Sequence, residues 1–229
     1  KQVFEEAKET ARGIDDTWKT RWALKEIAKA QAEAAKAQVK AGDIEWAKQV
    51  FEEAKETARV IDDEDDRSGA LSEIATDQAK AGDIEGAKQT FEEAIKTARG
   101  KDNKYQQIWT LWEIATDQAK VGDMEGARQT FEEAKETARE FLRYYNKKAD
   151  RRVFCEIASK QAKAGDMEGA RQTLKEAKET TNGIDGKERR IRVLREIASV
   201  EIDVAKGQAK EGHINEAKLT IEEAKATAR

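Results

Sequence analysis

The nonapeptide FEEAKETAR occupies Phe4–Arg12 and returns unchanged at Phe51–Arg59 and Phe131–Arg139, with variants beginning at Phe91, Leu174 and Ile221. These starts lie 47, 40, 40, 43 and 47 residues apart. Two other strings keep the same phase. KAGDIE begins at Lys40 and Lys80 and recurs as KVGDME at Lys120, KAGDME at Lys163 and KEGHIN at Lys210, while EIA begins at Glu26, Glu73, Glu113, Glu156 and Glu196. Repetition at such a period marks an array in which each repeat is one supersecondary motif that hides its apolar face only by stacking on its neighbours. The 229 residues read as one array over 1–229 of about five repeats, with both ends falling inside a repeat.

Each repeat predicts two helices. In the first, Leu71, Ile74, Ala75 and Ala79 recur at steps of three and four and so share one helical face. Gly82 supplies a residue that tolerates a left-handed helix stop, and Asp83 can cap the next helix N-terminus. The second helix carries Ile84, Ala87, Phe91, Ala94 and Ala98 on one stripe. Small alanines allow close helix approach, and one Phe per repeat fills the remaining space. Segments such as Gly13-Ile14-Asp15-Asp16 stop one repeat and cap the next.

The longer repeats have local explanations. Ile27 and Gly42 are 15 positions apart, as are Ile197 and Gly212, against 8 for Ile74 and Gly82. Seven extra residues are about two helical turns, which lengthens the first helix while nearly preserving its apolar face. The 43-residue repeat takes its additional residues near Phe141-Leu142-Arg143-Tyr144-Tyr145, an aromatic cluster expected to pack.

Composition narrows the function classes. Proline is absent, where average usage of ~5% would give about a dozen, so the class is all-α. The 43 Lys+Arg against 47 Asp+Glu give a net charge of −4, which speaks against a nucleic-acid partner. No run of eighteen apolar residues exists to cross a membrane. Cys155 and His213 are the sole cysteine and histidine, so neither an internal disulfide nor an ordinary zinc site can be built, and a reducing, cytoplasmic setting is expected. The run Asp62-Asp63-Glu64-Asp65-Asp66 lacks the glycine and spaced glutamate of a calcium loop and reads as a solvated acidic loop. No nucleophile–base pair, phosphate loop or metal spacing stands out, so no catalytic, cofactor-binding or metal residue is assigned and the chain reads as a non-enzyme.

The string Leu71…Ile74-Ala75…Lys80-Ala81-Gly82-Asp83-Ile84-Glu85-Gly86-Ala87…Phe91…Ala94 resembles the tetratricopeptide (TPR) repeat, including its second-helix spacing Ala87–Phe91–Ala94. The chain departs from that pattern in its period above 34, in Ala75 and Gln78 at two first-helix positions, and in lacking the closing proline. The resemblance implies an α-solenoid, a right-handed superhelix of antiparallel helix pairs, that binds a protein or peptide in a concave groove lined by first helices. Matching outward positions are Trp22, Lys25 and Lys29, then Lys80, then Trp109, Trp112, Thr116 and Lys120, then Arg152 and Lys163, then Arg192 and Arg195. Lys and Arg along such a groove would attract an acidic segment, and Trp and Arg are the usual anchors of interfaces. A homo-oligomeric, self-assembling array is the alternative, followed by an RNA-binding helical repeat. Gln38, Gln78, Gln118, Gln161 and Gln208, and the EIA glutamates, form ladders expected to bridge adjacent repeats. Trp46 stands where other repeats have Gly86, Gly126 and Gly169, and is expected to cap the end or face a partner; His213 replaces a capping aspartate and is expected to cap or lie exposed.

Overall fold

A glycine with positive φ closes each hairpin: Gly42, Gly82, Gly165 and Gly212 lie at φ 86–90°, a region glycine enters at no steric penalty. At Gly82 the closure is a Schellman motif, with Asp83 N donating to Gln78 O (2.9 Å) and Gly82 N to Ala79 O (3.0 Å). Asp83 then turns the chain back, its Oδ1 accepting from Gly86 N at 3.1 Å to cap the following helix. The computed structural model describes residues 2–145, 152–181, 184 and 186–228, with Tyr145 by its backbone alone. Eleven α-helices and no strand are found among the described residues. The chain divides into two compact units, Lys1–Val121 and Gly122–Arg229.

The N-terminal unit holds α1 (Gln2–Arg12), α2 (Thr17–Ala41), α3 (Ile44–Arg59), α4 (Glu64–Lys80), α5 (Ile84–Arg99) and α6 (Lys104–Lys120). Hairpins α2/α3 and α4/α5 are the tightest pairs; α2 lies beside α4, and α4 beside α6. Phe51, Leu71, Ile74, Phe91, Ile108, Leu111 and Ile114 fill the core, with Ala28, Ala54, Ala75, Ala94 and Ala98 at the close approaches. Ile84, expected on the buried stripe, is exposed; as the first residue of α5 it stands at the open tip of the hairpin. The two-turn insertion is visible as an α2 of 25 residues against 17 in α4 and α6.

The C-terminal unit holds α7 (Met124–Tyr145), α8 (Val153–Lys163), α9 (Met167–Thr181), α10 (Lys187–Lys210) and α11 (Ile214–Thr227). It repeats the scheme with hairpins α8/α9 and α10/α11, and with α8 beside α10. In the aromatic cluster Leu142 is buried and Phe141 half-buried, as expected of packing, whereas Tyr144 is exposed; the cluster continues α7 rather than forming a loop.

The glutamine ladder does something other than expected. Gln78 Oε1 accepts from Thr90 Oγ1 (2.6 Å), and Gln78 Nε2 donates to Asp83 Oδ2 (3.0 Å). Gln161 repeats both bonds with Thr173 (2.6 Å) and Asp166 (3.3 Å), and Gln208 accepts from Thr220 (2.9 Å). The bonds lock the two helices of one hairpin instead of bridging neighbouring repeats. They also explain Gly86 and Gly169: a Cβ there would come within 2.1 and 2.0 Å of the capping carboxylate and 2.6 Å of the glutamine. In the first hairpin Val50 stands in the threonine position and Trp46 in the glycine position, and the bond is made instead between Thr57 Oγ1 and Gln31 Oε1 (2.8 Å). Both partners have moved seven residues, one up α2 and one down α3, as antiparallel helices require.

Adjacent repeats are tied by charge. Arg59 grips Glu93 with Nε and Nη2 (2.6 and 2.7 Å), and Arg139 grips Glu176 in the same way (3.0 and 2.9 Å). Of the EIA glutamates, Glu73 bridges to Lys25 (3.7 Å) and Glu196 to Arg152 (3.9 Å). The Arg59 guanidinium holds the Glu93 carboxyl below the usual carboxylate range.

Three outcomes follow. Thr90→Val leaves the Gln78 carbonyl buried without its donor and should lower stability by about 1–3 kcal/mol in urea unfolding. His213 makes no side-chain cap bond to α11, so His213→Asp should raise stability by about 1 kcal/mol. Because the Glu93 pKa is depressed by folding, the stabilisation is complete above the ordinary glutamate range and is lost as pH falls through the depressed value. Glu93→Gln should therefore destabilise at pH 7, by about 1 kcal/mol or less for a partly exposed pair, and the gap between variant and parent unfolding midpoints should narrow as pH falls below the ordinary glutamate range.

Candidate protein-binding surface

Helices α2, α4 and α6 lie side by side, and each presents an outward stripe in the same phase relative to its EIA glutamate or homologous position. Four residues before Glu26, Glu73 and Glu113 stand Trp22, Gly69 and Trp109. Trp22 is 57% and Trp109 48% exposed. One turn earlier come Trp18 on α2 and Tyr105 on α6, 62% and 37% exposed, with Asp65 on α4 between them. Two aromatic ladders therefore flank a helix that is bare at the matching position. Trp18 and Tyr105 were not among the residues expected from the repeat pattern; their four-residue spacing from Trp22 and Trp109 was the available signal.

Gly69 is not demanded by the backbone or by crowding. Its φ is not positive, and a Cβ there would meet only the flexible Lys25 Nζ, at an ordinary 3.6 Å. Interior helical glycine costs about 0.8–1.0 kcal/mol relative to alanine, so the notch between the tryptophans is kept against local helix stability.

Trp112, expected beside Trp109 in the groove, is only 4% exposed and its Nε1 donates to Glu113 (3.1 Å). It belongs to the core because, three residues from Trp109, it has rotated toward the neighbouring helices. Thr116 is half-buried and donates to Trp112 O (2.8 Å). The basic stripe is largely neutralised within the fold: Lys25 pairs with Glu73, Lys80 with Asp77 (4.0 Å), Lys120 with Asp117 (2.8 Å) and Arg152 with Glu196. The Asp117 carboxylate raises the Lys120 pKa. Lys29, Lys163, Arg192 and Arg195 are exposed; the last two line a recess of about 440 Å³ on α10 with Glu188, Ile191, Glu196 and Ser199.

The acidic run is not a free loop. Asp63 caps α4 by accepting from Asp65 N (2.9 Å) and Asp66 N (3.0 Å), and Glu64 to Asp66 form the first turn, where the helix dipole favours negative charge. Arg21 from α2 reaches Asp63 at 2.7 Å and Asp62 and Asp66 at 3.8 Å. From the other side, buried Lys101 contacts Asp65 and Thr110, and Thr110 Oγ1 donates to Asp65 (2.9 Å). Burial pushes the Lys101 ammonium down to about 8, against the opposing pull of Asp63 and Glu64. Among the described residues no group of three or more His, Cys, Asp or Glu is placed to hold a metal ion, and no helix is long and apolar enough to cross a membrane. Cys155 is buried, whereas His213 is exposed beside Glu216. Trp46 is half-buried at the start of α3.

No family model matches the sequence, and no curated protein matches it. Solved structures do. A circular tandem repeat protein with a novel repeat topology is 17% identical with a TM-score of 0.57; the alignment covers all of this chain and 64% of that one, so this chain spans less than two thirds of its length. A Thermococcus onnurineus protein is 18% identical over 97% of this chain and 72% of its own, with a TM-score of 0.48. A Podosopora anserina kinesin light chain with nearly identical TPR-like repeats is 16% identical over 86% of this chain and 93% of its own, with a TM-score of 0.41. The likeness is one of fold: all-α, built from paired helices in tandem repeats.

Proposed function

We propose that this chain is a non-enzymatic scaffold that seats a segment of a partner protein across α2, α4 and α6 of its N-terminal unit. The observation that carries the reading is the row Trp22–Gly69–Trp109: two large aromatic groups left substantially in solvent, flanking a glycine that the fold does not need. Exposed tryptophans are the side chains most enriched among interface anchors. Packed helices sit about 8–10 Å apart, so the axes of α2 and α6 are about two such spacings apart and the notch over α4 accommodates one extended or helical segment. The TPR-like architecture supports the same reading by analogy of fold.

Screening the chain against an array of partner-derived or random peptides tests it. Trp22→Ala with Trp109→Ala should abolish most retained binding while leaving the helical circular dichroism unchanged. Gly69→Leu should keep or raise thermal stability, because it removes an interior helical glycine, yet weaken binding by filling the notch. Undiminished binding by both variants would remove this surface from consideration.

A further inference from the structure

The ends of the first helices that carry the aromatic ladders also carry an excess of acid. In the three homologous segments 13–22, 60–69 and 100–109, eight carboxylates (Asp15, Asp16, Asp62, Asp63, Glu64, Asp65, Asp66 and Asp102) accompany five cations (Lys19, Arg21, Arg67, Lys101 and Lys104). The cations are engaged within the fold where the strongest acids need them. Arg21 serves Asp63 first and only reaches Asp62 and Asp66 at 3.8 Å, Lys101 is buried against Asp65, and Arg67 Nη1 donates to Ile61 O (2.7 Å). Asp62 and Asp102 stay exposed and Asp66 half-exposed, whereas Lys25, whose Nζ lies 3.6 Å from where a Gly69 Cβ would stand, is paired with Glu73 (3.7 Å). At the opposite ends of the same helices, Lys80 and Lys120 sit beside Asp77 and Asp117, so the imbalance belongs to the aromatic end.

Exposed indole faces beside surplus carboxylates form the environment that favours an organic cation. The ring quadrupole attracts an ammonium or guanidinium over its face, and the carboxylates supply charge and hydrogen-bond acceptors. We infer that the segment seated between Trp22 and Trp109 is basic: a peptide whose Lys or Arg side chains stack on Trp18, Trp22, Tyr105 and Trp109 and answer the carboxylates of Asp62, Asp66 and Asp102. The inference rests on the surface assigned above and specifies its partner, reversing the sign of charge that the lysine stripe alone suggests. Arginine suits the site especially, since its planar group stacks on aromatic faces and hydrogen-bonds in its own plane at once.

The test uses the full chain and three fluorescein-labelled twelve-residue peptides of matched hydrophobicity: one with alternating Lys and Arg, one with Glu at those positions, and one with Gln. The basic peptide should bind and the Glu peptide should not, with affinity falling as salt rises from 50 to 500 mM. Trp22→Ala with Trp109→Ala should weaken binding at least tenfold. The triple variant Asp62→Asn, Asp66→Asn, Asp102→Asn should weaken it severalfold and flatten the salt dependence. If the Gln or Glu peptide binds as well and still requires both tryptophans, the surface stands and its basic preference is overturned. If the basic peptide binds equally to the tryptophan double variant, the inference fails by location. If none of the peptides binds, the basic preference fails with them, and the array screen decides the surface independently.

Discussion

A primary amide buried between two antiparallel helices must find its partners or destabilise the hairpin that contains it. In the standard repeats that requirement is met by one threonine hydroxyl and one capping carboxylate, whereas in the first hairpin Thr57 serves Gln31 Oε1 and leaves its buried Nε2 without a partner. The Gln78–Thr90 and Gln161–Thr173 bonds fix how far each helix slides along its mate. Alanine-lined contacts define that slide poorly, because a face of small side chains packs almost equally well after a shift of one turn. The polar lock supplies the uniqueness that the apolar core lacks, and the Gly-Asp turn, the alanine contacts and the charged clasps all assume the register it sets.

Much of this was legible beforehand. The Gly82-Asp83 stop and cap, the all-α class and the two-turn insertion in α2 and α10 follow from residues whose roles are local. The ladders of Gln and Glu were visible as recurrences, but recurrence does not say which neighbour a side chain reaches. Gln78 could have spanned to the next repeat, and only the placement of Thr90 twelve residues on decides that it does not. Trp112 and Trp109 are equally aromatic and three positions apart; their different burial depends on how α6 is rotated against its neighbours, which sequence spacing leaves open within one face. Trp18 and Tyr105 went unassigned because the outward positions taken from the repeat resemblance begin one turn later, at Trp22 and Trp109.

Charge is organised at two levels. In the bidentate Arg59–Glu93 and Arg139–Glu176 clasps the last residue of the repeated nonapeptide pairs with the third residue of its variant in the next repeat, tying successive second helices. The first helices instead vary their charges from repeat to repeat. Arg21 and Lys101 gather the acidic turn of α4 from either side. The conserved framework and the individual surface thus occupy different helices of each pair.

The migration of the lock in the first hairpin, from the Gln38 and Val50 level to Gln31 and Thr57, has a consequence for how such a chain can grow. Seven residues advance a helix by about two turns and rotate it by only about 20°. An added heptad therefore keeps both faces nearly in register, and a new glutamine and threonine placed symmetrically about the tip restore the hydroxyl bond though not the one to the capping carboxylate. Helices in this architecture can be lengthened in discrete steps, so reach is adjustable while each helical face keeps its heading.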